Sequence, residues 1–176
     1  MSGFLIPKWL AQSKFVWDKA HWEDYQCFWL DSKVPYSDIM VSKELDNLER
    51  LLNKYPEATF AGHSLGAWWI SNLMCRPTVE FRKTVLWTPL THADEYPVFN
   101  VSPRYNPMYQ IPNLPNTGAY RNLVVYANQD LIVPSPSHAL SLSFHFKSMT
   151  YQLLGGHLYQ KNHKAALNYM KDWVEQ

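Results

Sequence analysis

The sequence predicts an α/β domain, a three-layer sandwich in which helices cover both faces of a mainly parallel sheet of about six strands. Short apolar runs alternate with helix-like stretches along the 176 residues, as is typical of parallel strands joined by crossover helices. The apolar runs lack polar alternation, as expected for strands that are buried on both sides. Because the length is near the commonest size for one domain, we expect residues 1–176 to form a single domain.

The candidate strands are short and are separated by polar or proline-containing segments, which gives each run a defined start and end. They fall at residues 3–6, 26–30, 58–61, 84–87, 123–127 and 150–154.

Three helices are predicted between or after these strands. Ser37 is a favourable N-cap for the first, which Pro56 ends, a second covers residues 67–75, and the last runs from about residue 162 to about 173. Apolar residues three and four apart place one face of the first and last helices on the sheet. These are Val41, Leu45, Leu48, Leu52 and Tyr55 in the first helix, and Ala166, Tyr169, Met170 and Trp173 in the last.

Residues 88–117 follow the fourth strand and show no sustained period, so we interpret them as a long ordered loop. The segment is rich in proline, and its aromatic residues argue against disorder. Four aromatic residues directly before or within this region are candidates for binding substrate, with ordinary packing over the sheet edge as the equal alternative. They are Trp87, Tyr96, Phe99 and Tyr105.

The balance of 16 basic and 15 acidic residues excludes a strong field of one sign. We therefore expect neither nucleic acid nor a membrane as a partner, and predict a small neutral or mixed ligand.

The first residues lack a signal-peptide pattern and no run reaches the roughly 20 apolar residues that span a bilayer, which predicts a cytoplasmic protein. Cys27 and Cys75 have neither metal-site nor disulfide spacing and are predicted to be reduced core residues.

The segment Gly62-His63-Ser64-Leu65-Gly66 lies between a predicted strand and a predicted helix, which is the context of a nucleophile elbow. Glycines two residues before and two residues after the serine permit a sharp turn and a close approach of strand and helix. Ser64 would then stand at the carboxyl end of the sheet as a nucleophile. The backbone N–H of Leu65, at the helix N-terminus, would face a developing oxyanion.

A serine nucleophile needs a base, and the base needs a group that fixes its tautomer. Asp130 follows the fifth predicted strand and His157 follows the sixth, so both belong to the same sheet edge as Ser64. We predict Ser64, His157 and Asp130 as nucleophile, base and orienting acid. Asp94 or Glu95, after the fourth strand, is the alternative acid.

The remaining histidines are predicted to be structural. His138, His145 and His163 lack the tight spacing of metal ligands, so we predict no metal site. His63 leaves the strand one position before the serine and is interpreted as a supporting residue of the elbow rather than as a base.

The chain resembles the small serine hydrolases related to retinoblastoma-binding protein 9, within the α/β-hydrolase superfamily. The likeness covers almost the whole chain and rests on residues 4–7, the elbow around Ser64, residues 85–87 and 130–134, and Gly156-His157. It implies a minimal α/β-hydrolase core without a cap domain, a Ser64-Asp130-His157 triad, and hydrolysis of small esters or amides without cofactor or metal.

The chain departs from that family after the first strand, where such proteins carry a glycine-rich turn that supplies the second oxyanion N–H. Pro7-Lys8-Trp9-Leu10 contains no glycine, so the donor would be Trp9 or Lys8. The first hypothesis is an enzyme that hydrolyses a small-molecule ester, thioester or amide through an acyl-enzyme. The alternatives are a catalytically weak or inactive binding module with this fold, and acyl transfer to an acceptor other than water.

Overall fold

A computed structural model describes residues 3–7, 26–30, 35–114, 121–157 and 161–176. Within them, six strands form one parallel sheet in the order β2-β1-β3-β4-β5-β6. The predicted α/β class with a parallel sheet is confirmed. The strands are β1 (Gly3–Pro7), β2 (Gln26–Leu30), β3 (Thr59–His63), β4 (Lys83–Trp87), β5 (Asn122–Ala127) and β6 (Met149–Leu153).

Helices cover the two faces of this sheet and create two separate apolar layers. The helices are α1 (Asp38–Lys54), α2 (Leu65–Met74), α3 (Ser141–His145) and α4 (His163–Glu175). Successive residues of a strand face opposite layers, and β4 shows this directly: Leu86 packs with α1 and α2, whereas Val85 and Trp87 pack with α4. This arrangement is the predicted three-layer sandwich.

Helix α1 begins at the predicted cap, where the backbone N–H of Met40 donates to Ser37 Oγ at 3.2 Å. Helix α2 is buried around its whole circumference, because it lies between the sheet and α1 and is also packed against the loop after β4. Its Trp68 and Trp69 are fully buried, and both rings contact Tyr36. This packing fixes the helix whose first residues form the elbow.

Helix α4 is held to the sheet at its C-terminal end by Lys83, the first residue of β4. The Lys83 ammonium donates to the carbonyl oxygens of Trp173 at 2.5 Å and Val174 at 3.3 Å, and lies 4.9 Å from the centre of the Trp173 ring. A cation at a helix C-terminus satisfies carbonyl groups that have no intrahelical donor.

The loop after β4, predicted to be long and ordered, contains three short 3₁₀ turns between residues 88 and 114. They are Ala93–Glu95, Pro103–Tyr105 and Pro107–Tyr109. Asn106 is fully buried and organises the loop, since its side chain accepts from the N–H of Met108 at 3.0 Å and donates to Asp94 at 3.1 Å.

The segment between β5 and β6 contains one turn of π-helix, Pro136–Leu140, that leads directly into α3.

Cys75 is a free, half-buried thiol, and burial raises its pKa to about 12, so it is unreactive at neutral pH. Within the described part of the chain, no helix has both the length and the apolar character needed to cross a membrane.

Candidate active site

Ser64 lies in a sharp turn between β3 and α2, with φ of 52° and ψ of −111°. Such a backbone is strained for a residue with a side chain and persists only where its surroundings hold it. Here the Ser64 N–H donates to the Trp87 carbonyl at 2.9 Å, and the Ser64 carbonyl accepts from Leu90 at 3.2 Å. Strand β4 and the loop after it therefore hold the nucleophile in its turn.

Gly62 permits this turn because β3 and α2 meet there. A Cβ on Gly62 would lie 2.4 Å from the carbonyl carbon of Gly66, far inside van der Waals contact with backbone. We therefore expect Gly62→Ala to lower the free energy of unfolding by about 3 kcal/mol or more, measured by urea denaturation.

Gly156→Ala is the matched control for that prediction, because among the described residues a Cβ at Gly156 meets only the Gln129 carbonyl oxygen, at an ordinary 3.6 Å. Its effect on unfolding should stay below about 1 kcal/mol. Equal losses in the two variants would contradict the close approach of β3 and α2.

The structure brings the three predicted triad residues together at the carboxyl edge of the sheet. His157 Nε2 lies 2.9 Å from Ser64 Oγ, and His157 Nδ1 lies 2.6 Å from Asp130 Oδ2. All three are buried, with 6, 6 and 7% of Ser64, Asp130 and His157 exposed. Because a carboxylate only accepts hydrogen bonds, Asp130 places the His157 proton on Nδ1 and leaves the Nε2 lone pair facing the serine hydroxyl.

Asp130 is itself held by the turn that it begins. Its second oxygen accepts from the backbone N–H groups of Ile132 at 3.0 Å and Val133 at 2.7 Å. These two donors fix the carboxylate plane, and therefore fix which oxygen faces His157.

The His157 loop is fastened to the Asp130 loop by three hydrogen bonds. Gln129 N–H donates to the Gly155 carbonyl at 2.9 Å, Gly155 N–H donates to Asn128 Oδ1 at 2.9 Å, and Asn128 N–H donates to the Leu153 carbonyl at 3.0 Å. Sequence reasoning did not single out Asn128 or Gln129. The available signal was an asparagine directly after a strand, a position where its side chain commonly bonds to backbone.

His63 lies at the end of β3, fully buried, with its ring centre 5.1 Å from that of His157. Burial, and next the adjacent His157, lower the pKa of His63 to about 3. His63 is therefore uncharged at neutral pH.

A second buried histidine, His138, lies in the π-helical turn Pro136–Leu140, which follows the Asp130 loop. Thr91 donates its N–H to His138 Nδ1 at 3.2 Å, so the proton of this ring is on Nε2, and the Thr91 hydroxyl bonds both His138 and His92 at 2.7 Å. Burial and then the nearby His92 lower the pKa of His138 to about 4. Neither His138 nor His92 contacts Ser64 among the described hydrogen bonds.

The low pKa of His138 predicts an acid-dependent loss of stability. Because an unfolded histidine titrates near pH 6.5, the unfolded chain binds a proton between about pH 6.5 and 4 that the folded chain does not. Stability should thus fall as the pH falls through this window, with up to about 1.4 kcal/mol per pH unit from this residue. Urea unfolding at several pH values should show a shallower slope for His138→Asn, which keeps an acceptor for Thr91. Parallel curves would contradict the assignment.

Of the predicted oxyanion donors, only Leu65 lies among the residues that the structure describes. Leu65 begins α2, and its N–H belongs to the first turn, where helix N–H groups lack an intrahelical acceptor. Trp9 and Lys8 lie outside the described residues.

The four aromatic residues predicted to bind substrate lie in different places. Trp87 is only 1% exposed and packs in the core with α4, so we withdraw it from the proposed substrate wall. Phe99 stacks on Tyr36 with ring centres 6.2 Å apart, and the Tyr105 hydroxyl donates to the Asp38 carbonyl at 3.0 Å, which ties both to the start of α1. The Tyr96 hydroxyl donates to the Ile132 carbonyl at 3.1 Å, in the turn formed by Asp130.

Neither alternative acid bonds to His157 among the described hydrogen bonds. Asp94 Oδ1 accepts from the Asn106 side chain at 3.1 Å, and Glu95 is exposed. Among the described residues, no group of three or more His, Cys, Asp or Glu side chains is arranged to hold a metal ion.

A cavity of about 860 Å³ lies at the amino edge of the sheet, opposite to Ser64, next to the first residues of β4 and β6. Its two arginines are already paired, Arg82 with Glu57 at 3.7 Å and Arg121 with Glu80 at 3.8 Å. We assign no substrate to this cavity, since it is on the far side of the sheet from the triad.

No family model matches this sequence, and no curated protein matches it either. Solved structures do match its fold. MGS-MChE2, an alpha/beta hydrolase enzyme from the metagenome of lagoon sediments at Mar Chica, Morocco, superposes with a TM-score of 0.70 at 13% identity, over 99% of this chain and 90% of that one. The ydeN gene product of B. subtilis gives 0.63 at 14% identity, over 99% of both chains.

A third similar structure is an acetyl ester-xyloside bifunctional hydrolase from Caldicellulosiruptor lactoaceticus, with a TM-score of 0.60 at 13% identity, over 99% of this chain and 80% of that one. At identities this low, the comparisons establish architecture. The chain has the α/β-hydrolase fold.

Proposed function

We propose that this protein is a serine hydrolase that cleaves a small ester, thioester or amide through an acyl-enzyme intermediate. The observation that carries the proposal is the continuous hydrogen-bonded series from Ser64 Oγ through His157 to Asp130, with separations of 2.9 and 2.6 Å. Both are within the reach required for proton transfer from a nucleophile and for orientation of its base.

In the proposed reaction, Ser64 Oγ attacks the substrate carbonyl while His157 Nε2 takes the hydroxyl proton. Asp130 stabilises the imidazolium that forms. The resulting oxyanion accepts a hydrogen bond from the Leu65 N–H, assisted by the positive end of α2, with a second donor predicted from Trp9 or Lys8. His157 then gives its proton to the leaving group, and an activated water releases the acyl group from Ser64.

Short acyl esters are the proposed test substrates, because the Caldicellulosiruptor protein of similar fold is an acetyl ester hydrolase. The proposed mechanism uses no cofactor or metal. The relation to the retinoblastoma-binding protein 9 group, the cytoplasmic location and the exclusion of nucleic acid and membrane as partners remain predictions from the sequence. The oligomeric state is not predicted.

A fluorophosphonate probe tests the proposal, because it reacts with an activated serine hydroxyl. The wild-type protein should be labelled, and Ser64→Ala should not be. Ser71→Ala is the matched control, since Ser71 is a buried serine of the same helix whose hydroxyl donates to the Ala67 carbonyl at 2.7 Å. It should be labelled like the wild type.

Folded wild-type protein that remains unlabelled would favour the alternative, a weak or inactive binding module. The observation behind that alternative is the glycine-free sequence Pro7-Lys8-Trp9-Leu10, where the second oxyanion donor is expected. Loss of one oxyanion donor typically lowers turnover by about 100- to 1000-fold. Labelled protein that transfers the acyl group to an added alcohol or amine in preference to water would support acyl transfer.

A further inference from the structure

We propose that His63 is a positioning residue whose buried ring holds the His157 ring within hydrogen-bond reach of Ser64. The role deepens the proposed hydrolase function and rests on it. His63 itself takes no proton from the nucleophile in this proposal.

The geometry places His63 beside both the nucleophile and the base. It is the last residue of β3 and directly precedes Ser64 in the chain. Its ring centre is 5.1 Å from that of His157, and the two ring planes are inclined by 39°. His63 is 0% exposed, so its ring cannot swing away into solvent without opening the core.

His157 is attached to the end of β5 by the described hydrogen bonds of its loop and by Asp130. Its loop follows β6, and β4 and β5 separate that strand from β3 in the sheet. The bonds from Asn128 and Gln129, like the 2.6 Å contact with Asp130, fix the base to the end of β5. The ring contact with His63 connects the base to β3, the strand that directly precedes the nucleophile.

A histidine suits this place because it offers a flat ring and stays neutral there. Burial and the adjacent His157 hold the pKa of His63 at about 3. The imidazolium that forms on His157 during the reaction therefore meets no second positive charge on the ring beside it. Misplacement of a reacting group by about 1 Å can cost roughly 100-fold in rate, so a small displacement of His157 would be measurable.

Three variants test the role: His63→Asn removes the ring, His63→Phe keeps a flat ring, and Phe60→Leu is the control. Phe60 is a buried residue of the same strand, and its side chain faces the opposite layer. The measurements are kcat and KM for a short p-nitrophenyl ester, and the far-downfield proton signal of the hydrogen bond between His157 and Asp130.

We expect His63→Asn, which removes the ring, to lower kcat by about 10- to 100-fold with KM within about twofold of the wild type, and to shift or broaden the downfield proton. His63→Phe should recover part of that loss, because it restores a flat ring beside His157. Phe60→Leu should reduce thermal stability and leave kcat and the proton signal unchanged.

Folded His63→Asn, or folded His63→Gln if the former does not fold, with wild-type kcat and an unshifted proton would overturn the proposal. So would an equal loss of kcat in Phe60→Leu, since general destabilisation would then explain the effect. If the wild type hydrolyses no ester, the proposed function fails separately. The proton signal alone then decides whether His63 positions His157.

Discussion

Ser64→Ala is expected to lower the turnover of an activated ester by on the order of 10⁴- to 10⁶-fold, to the rate of the buffer. His157 Nε2 faces Ser64 Oγ at 2.9 Å in a site where both residues are buried, so the variant removes the hydroxyl that the base activates. The measurement is the initial rate of p-nitrophenyl acetate hydrolysis under saturating substrate, corrected for background.

The control for this prediction is again Ser71→Ala, which removes a hydroxyl bonded only within α2 among the described contacts. It should retain turnover within about twofold of the wild type. Substantial activity in folded Ser64→Ala would assign the nucleophile to another group and contradict the proposed mechanism.

Asp130→Asn is expected to lower turnover by about 10⁴-fold while the fold persists. The backbone N–H groups of Ile132 and Val133 both donate to Asp130 Oδ1, so in the variant they select the amide oxygen at that position. The amide NH₂ would then face His157 Nδ1 and act as a donor. His157 would have to accept at Nδ1 and carry its proton on Nε2, the tautomer that cannot take a proton from Ser64.

Asp94→Asn is the matched control, because Asp94 follows the neighbouring strand and accepts only from Asn106 among the described hydrogen bonds. Its turnover should stay within about twofold of the wild type. A loss below about tenfold in Asp130→Asn, with a large loss in Asp94→Asn, would reverse the roles of the two carboxylates.

The sheet was predictable from the sequence because each buried parallel strand appears as a short apolar run with a clear boundary. Strand β5 was expected at residues 123–127 and runs over Asn122–Ala127. Strand β3 was expected at 58–61 and extends over Thr59–His63, since the first glycine of the elbow and His63 remain extended and pair with β4. The residues that follow the strands were predictable as neighbours for the same reason, because parallel strands share one carboxyl edge.

Contacts made by side chains across loops were not predictable. The ring contact between His63 and His157 and the bonds from Thr91 to His138 join positions whose separation depends on loop geometry rather than on a local pattern. Trp87 is a residue whose burial the strand period could have predicted. It is two residues from Val85 in β4, so the strand period places both on the α4 face, in the core and away from an open site.

The most direct test of the account is to trap the covalent intermediate and locate it. The protein is mixed with p-nitrophenyl acetate, quenched in acid within the first turnovers, digested and mapped by mass spectrometry. The account predicts one acetyl group, on the peptide that contains Ser64, and accumulation of that adduct in His157→Gln only at a greatly reduced rate. Hydrolysis with the acetyl group on a different residue, or turnover without any adduct on Ser64 under conditions that trap acyl-enzymes, would contradict it.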